Sequence, residues 1–279
     1  MAEFLGAVAT SPAPPIFLEP EHWTEHSDLT DRNNPELVSP RTGRVTAYPD
    51  LVAEVAADDP ELLGRLSDEV FRDNFDRMAA ATGRLRAAIG ELAPDVVLVI
   101  SDDQEEIFFD DNMPMFSVYW GKSWTLLPWR SHRTGANPLY EAFKKGWGDR
   151  ELEVPVDAEA GEHVIATLAG HDFGIALRRA VETMPGGKRV LLIASGGLSH
   201  FVLDEELDRL LITGLRRDDR AVLENLPRLD SPTGEIRNWI AAAGACSGMR
   251  FELFDYVPTP RSAAGTGGGW CFARWTPAR

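Results

Sequence analysis

Cysteine is nearly absent. The 279 residues hold two, Cys246 and Cys271, and no C-x-x-C pair. That excludes a disulfide framework and a zinc ribbon, and it fits a reducing compartment. Basic residues are also scarce, 28 Lys and Arg against 44 Asp and Glu, for a net charge of −16. A chain this acidic repels duplex DNA and anionic membranes, so neither is expected as a partner. No apolar run approaches the ~20 residues of a bilayer span. The opening MAEFLGAVATSPAPP has no basic stretch ahead of a long apolar one, so no signal peptide is expected and the expected location is the cytoplasm. Three familiar patterns are missing too. SGGLSHF is not the G-x-S-x-G elbow of a serine hydrolase. GTGGGW lacks the helix and downstream acid of a dinucleotide fingerprint. The acids of SDDQEE lack calcium-loop spacing.

What is present is an ordinary core-forming composition, 44% hydrophobic and 26% charged. Glu3–Thr10 reads as a short buried strand stopped by the prolines of SPAPP. Residues 17–60, polar and spotted with proline, read as a long irregular excursion of the kind that lines sites. From Leu66 an apolar stripe runs through Val70, Phe71, Phe75, Met78, Leu85, Ile89 and Leu92, which predicts a long helix ending before Pro94. DVVLVIS and KRVLLIAS are continuous apolar runs, expected as strands covered on both faces. Residues 121–160 again read as irregular. A helix is expected from near Gly161 to Met184, with a break, and three more helical segments cover DEELDRLLITGL, DDRAVLENL and TGEIRNWIAAAGA. MRFELFDYV is a late strand. Helices alternating with buried strands predict an α/β fold, one domain over residues 1–279, with a central, mostly buried sheet flanked by helices and sites at strand C-termini.

Two strand ends carry candidate chemistry. In SGGLSHF, paired glycines allow a sharp turn that exposes His200, an acid or base near neutral pH; the competing reading is a histidine satisfied by a backbone carbonyl in a tight turn. In SDDQEE, the carboxylates of Asp102, Asp103, Glu105 and Glu106 suit a hard cation, or else form a solvated acidic loop. Glu235, on the helix carrying Trp239, is either a ligand or an acid favoured by the helix dipole. Trp239 itself shares a face with Ile236 and Ile240 and belongs in the core. Trp124, Trp129 and Trp147 would wall an aromatic pocket or simply pack loops.

Taken together, SPAP at Ser11–Pro14, DQEEIFFDDNMPMF at Asp103–Phe116, GGLSHF at Gly196–Phe201 and GEIRNW at Gly234–Trp239 resemble the class III extradiol ring-cleavage dioxygenases. The order and approximate spacing match along nearly the whole chain. The resemblance implies a catechol-type aromatic substrate and Fe(II) held by two histidines and a glutamate. It further implies a histidine, here His200, acting as acid or base. Glu235 falls on the metal glutamate. One metal histidine falls on Pro12, which has no donor, and the other on Gln104, a neutral oxygen. Ser199, Gly197 and Asp103 fall beside the substrate. A further histidine between the second and third strands has no counterpart, His171 being the nearest. Two expectations follow. One is an enzyme acting on or binding a catechol-type aromatic, with the Fe(II) site altered, rebuilt for another divalent metal, or lost. The other is a non-catalytic homologous subunit of a heteromeric ring-cleaving dioxygenase; either way a homo- or hetero-oligomer is expected.

Overall fold

A computed structural model describes residues 2–11, 17–101, 117–119, 121–127, 139, 142, 150–167, 173–227 and 235–278. Pro12, Asp102, Asp103, Gln104, Glu105, Glu106, Trp129, Trp147 and His171 lie outside them.

The fold is mixed α/β, an open sheet flanked by helices. Three parallel strands, β1 (Glu3–Thr10), β2 (Val96–Ile100) and β5 (Arg189–Ser195), run in the order β2-β5-β1. The long strand β8 (Thr266–Thr276) pairs antiparallel with β1 through its second half and with β6 (His200–Val202) through its first. Its other edge is taken by β7 (Arg250–Pro260). Alternation along the strands divides the core. Ala7, Ala9, Val190, Leu192 and Ala194 face one apolar cluster, which contains Leu177, Val181, Trp239 and Ala242. Val8, Leu191 and Phe272 face the other, with Phe71, Met78 and Leu85.

That second face is covered by the predicted long helix, α3 (Asp68–Leu92). Ser67 caps it by accepting the Val70 N–H, and Ala93, at φ 42°, ends it ahead of Pro94. Each fully buried side chain of its stripe contributes about 1.5–3 kcal/mol. The helix lies over β1, β7 and β8. It does not cover β2, where Val97 and Val99 remain 41% and 61% exposed. The expectation of cover on both faces therefore holds for β5 and fails for β2, which is an edge strand.

The excursion over residues 17–60 is more regular than its composition suggests. It contains α1 (Trp23–Leu29) and α2 (Tyr48–Asp58) with two short 3-10 turns, Pro20–His22 and Asp31–Asn33. Pro20 and Pro49 sit in the first turns of their segments, where a missing N–H costs nothing, so they start helices instead of breaking them. Within 121–160, β3 (Ser123–Leu126) and β4 (Leu152–Pro155) pair antiparallel, and Trp124 packs edge-on against Tyr119 with centroids 4.4 Å apart. Over the expected helix the structure describes α4 (Ala158–Thr167) and α5 (Phe173–Thr183), and the expected break, between them, lies outside the described residues. The three later segments are α6 (Glu205–Arg217), α7 (Arg220–Glu224) and α8 (Ile236–Ala245). Among the described residues no helix is long and apolar enough to cross a membrane.

The glycine run lies within a strand. Gly267, Gly268 and Gly269 lie inside β8. A methyl on Gly267 would come within 2.1 Å of the Thr259 carbonyl oxygen, and one on Gly269 within 2.0 Å of Asp208 Oδ2. Here glycine permits close approach of a neighbouring backbone and of a carboxyl.

Candidate functional site

The C-terminal ends of β1, β5 and β2 share one edge of the sheet. Thr10 pairs with Ser195 and Ile100 with Ala194, so the chain leaves all three strands at the same level. Such edges are where open α/β sheets bind ligands.

The turn after β5 is built against the first turn of α8. Gly196 donates its N–H to Thr10 O at 3.1 Å. Its carbonyl accepts the Trp239 indole N–H at 2.9 Å, and the Ser195 carbonyl accepts the Asn238 amide at 2.8 Å. A Cβ on Gly196 would stand 2.9 Å from Glu235 O, so this contact exists only because the residue is glycine. Trp239 is fully buried, as its helical face predicts, and its indole also ties the helix to the strand end.

Glu235 occupies the N-cap position of α8 but makes no side-chain capping bond. Its Oε2 instead accepts the Gly197 N–H. Its Oε1 lies 4.0 Å from His200 Nε2, and both side chains are 20% exposed. The other imidazole nitrogen, Nδ1, is 3.0 Å from the Leu198 carbonyl. A carbonyl only accepts, so Nδ1 carries a hydrogen, and in a neutral ring Nε2 is then the bare lone pair. The contact with the Leu198 carbonyl is the one that the tight-turn reading of His200 expects. One nitrogen is satisfied in the tight turn, and the other faces a carboxylate across a gap.

Ser199 has no exposed surface. Its hydroxyl donates to Asp208 Oδ2 at 2.8 Å and accepts the Asp204 N–H at 2.9 Å. It is a structural residue of the turn, and it offers a ligand no free hydroxyl. Gly197 does lie at the site, since a Cβ there would contact Glu235 Oε2 and His200 Nδ1 at 3.3 and 3.4 Å.

Asp208 and Tyr256 escaped the sequence reading. Asp208 is fully buried on α6, accepting the Ser199 N–H at 2.7 Å and the Tyr256 hydroxyl at 2.7 Å. Burial pushes its carboxyl up to about 7, against the opposing pull of these hydrogen bonds. Burial, then Asp208, push the Tyr256 phenol far above its ordinary range. A signal was available, because Asp208 shares the helical stripe of Leu211, Ile212 and Leu215, and an acid on such a stripe needs internal partners.

No protein-family model and no curated protein matches this chain.

The donors fit an Fe(II) triad poorly. At the three positions that the resemblance alone would give to an Fe(II) triad stand Pro12, which has no donor atom, Gln104, with a neutral oxygen, and Glu235, the one anionic side chain of the set. Among the described residues no three His, Cys, Asp or Glu side chains cluster closely enough to hold a metal.

Proposed function

We propose that the chain binds a catechol-type aromatic at the His200–Glu235 edge, as a protein of the class III extradiol ring-cleavage kind whose metal site is altered. One observation carries this reading. His200 Nε2 and Glu235 Oε1 are both hydrogen-bond acceptors when the ring is neutral, and they face each other at 4.0 Å. Two acceptors at that distance can both bond to donors of one small ligand placed between them. A catechol supplies two neighbouring O–H groups, one for each. His200 takes a hydroxyl proton at Nε2, which raises electron density on the aromatic ring, and Nδ1–H stays anchored on Leu198 throughout. Glu235, fixed by Gly197, holds the second hydroxyl and balances the imidazolium charge.

A second reading is favoured by Pro12. A residue without a side-chain donor at a position where the resemblance places an imidazole suits a non-catalytic subunit paired with an active homologous chain. Both readings retain the aromatic ligand; they differ in who performs the chemistry.

The test is calorimetric titration with 3,4-dihydroxybenzoate, without oxygen, with and without added Fe(II). Saturable binding that weakens at least ~10-fold in His200→Ala supports the site. Absence of binding by the wild-type chain under both conditions overturns it. Turnover that appears only with a co-purifying chain, and survives His200→Ala, selects the subunit reading.

A further inference from the structure

We propose that Asp208 is a positioning residue for His200, acting through the single peptide group that joins Leu198 to Ser199. This inference rests on His200 being the ligand-facing base of the proposed site.

A peptide group is planar and trans, so its N–H and C=O point in opposite directions. The Leu198–Ser199 peptide is held at both ends. Its N–H donates to Asp208 Oδ1 at 2.7 Å, and its C=O lies 3.0 Å from His200 Nδ1. Whatever fixes the N–H therefore aims the carbonyl, and the carbonyl sets which ring nitrogen carries hydrogen. Asp208 is thus two hydrogen bonds from the bare Nε2 that faces Glu235.

The grip is specific. Asp208 Oδ2 also accepts the Ser199 hydroxyl at 2.8 Å and the Tyr256 hydroxyl at 2.7 Å, so three donors from two elements converge on one carboxyl. From β8, Gly269 donates its N–H to Ser199 O at 2.8 Å and accepts the Leu198 N–H at 3.3 Å. The peptides on either side of the Leu198–Ser199 unit are therefore pinned to the sheet, leaving the orientation of that unit to Asp208. The titratable groups around the carboxyl are Asp204 on its own helix segment, Tyr256 on β7 and Cys271 on β8, all uncharged or acidic. Arg216 acts on Cys271 in the same cluster, but the contacts that fix the orientation of the carboxyl are the three directional donors. Gly269 is glycine because a Cβ there would enter the space of Oδ2.

The experiment reads the ring nitrogens of His200 by nitrogen-15 NMR in the full chain, at a pH where the ring is neutral, beside titration with 3,4-dihydroxybenzoate. The wild type should show the Nδ1–H form with Nε2 bare. Asp208→Ala, which removes every acceptor from the Ser199 N–H, should shift the population toward Nε2–H and weaken catechol binding on the order of tenfold or more. Asp208→Asn keeps one carbonyl oxygen for that N–H and should retain most of the Nδ1–H form. An Asp208 that only stabilises the fold would lower the melting temperature in both variants and leave the tautomer of the folded fraction unchanged, which overturns the proposal. If Asp208→Ala does not fold, the wild type still decides, since a dominant Nε2–H form refutes the orientation argument by itself. Failure of the wild type to bind catechol, with the tautomer responding to Asp208 as stated, would sink the ligand reading alone.

Discussion

Asp31 and Arg261, 230 residues apart in the chain, meet as a buried ion pair with their nearest atoms 3.1 Å apart. Thr266 adds a hydrogen bond to the same carboxyl at 2.8 Å. The pair fastens the excursion of residues 17–60 to the turn between β7 and β8. Burial alone would raise the Asp31 carboxyl, but the charge and hydrogen bonds of Arg261 outweigh it and hold it below its ordinary value. Removing one partner of such a pair costs about 3–5 kcal/mol, because the other charge is left buried. Arg261→Met should therefore lower stability in urea by that amount, and adding Asp31→Leu should restore much of it.

Acid should loosen the same region. His26 is pushed down to about 4, first by burial and then by Arg261, while Asp31 opposes the shift. A histidine depressed in the folded state binds its proton more readily when unfolded. Its contribution to stability is thus fully present above the ordinary value near 6.5 and is lost as pH falls toward about 4. Protection factors of the α1 amides, corrected for the slower intrinsic exchange in acid, should fall between pH 6.5 and 4 well before those in β5 do. An equal fall in both would show that the region does not open separately.

Asp208 should produce the opposite slope. Its carboxyl is raised, so the native state holds a proton that the unfolded chain gives up near 3.8, and its stabilising contribution is complete below that value and lost as pH rises through about 7. Asp208→Asn cannot titrate. The stability difference between wild type and Asp208→Asn should therefore narrow, or reverse, between pH 4 and 8. A difference that stays constant across that range would contradict the assignment.

Two glycines make a paired test. Gly269→Ala forces a methyl toward Asp208 Oδ2, within 2.0 Å if nothing moves, and should cost about 1–3 kcal/mol. Gly83→Ala, on the exposed face of α3 with nothing within 4 Å, should stabilise by up to ~1 kcal/mol. Thermal unfolding of the two variants checks both signs.

For iron, the wild-type chain should take up little Fe(II) in an anaerobic titration. The double change Pro12→His and Gln104→His supplies the two imidazoles that the proposed resemblance implies and should raise occupancy clearly. Tight stoichiometric binding by the wild type would mean that other donors, such as Asp102 or Asp103, have replaced them.

Much of this arrangement was legible because periodicity is strong where burial is one-sided. The stripe from Leu66 to Leu92 placed α3 to within two residues at its start. The apolar runs placed three strands, and the glycine pair before His200 marked a sharp turn at a strand end. Short helices were missed because α2 buries only Leu51, too little to make a stripe. The strand through the glycines of β8 was not recognised, because a strand read by side-chain alternation is invisible when it has none. The Asp208–Tyr256 pair was hidden for a different reason: its partners are brought together only by the pairing of β7 with β8 and by α6 packing over them.

The place of β8 also constrains how the molecule comes into being. β8 pairs with β1 at the other end of the sequence, and with β6 and β7, so it joins elements made first to elements made last. On the ribosome, β1 must wait for residues 266–276 before its second edge is filled. Until then it exposes an unpaired row of amides beside β5. Long-range pairings of this kind close slowly, because the loop entropy is lost before the contacts form. Folding should thus be limited by the arrival and docking of one glycine-rich strand.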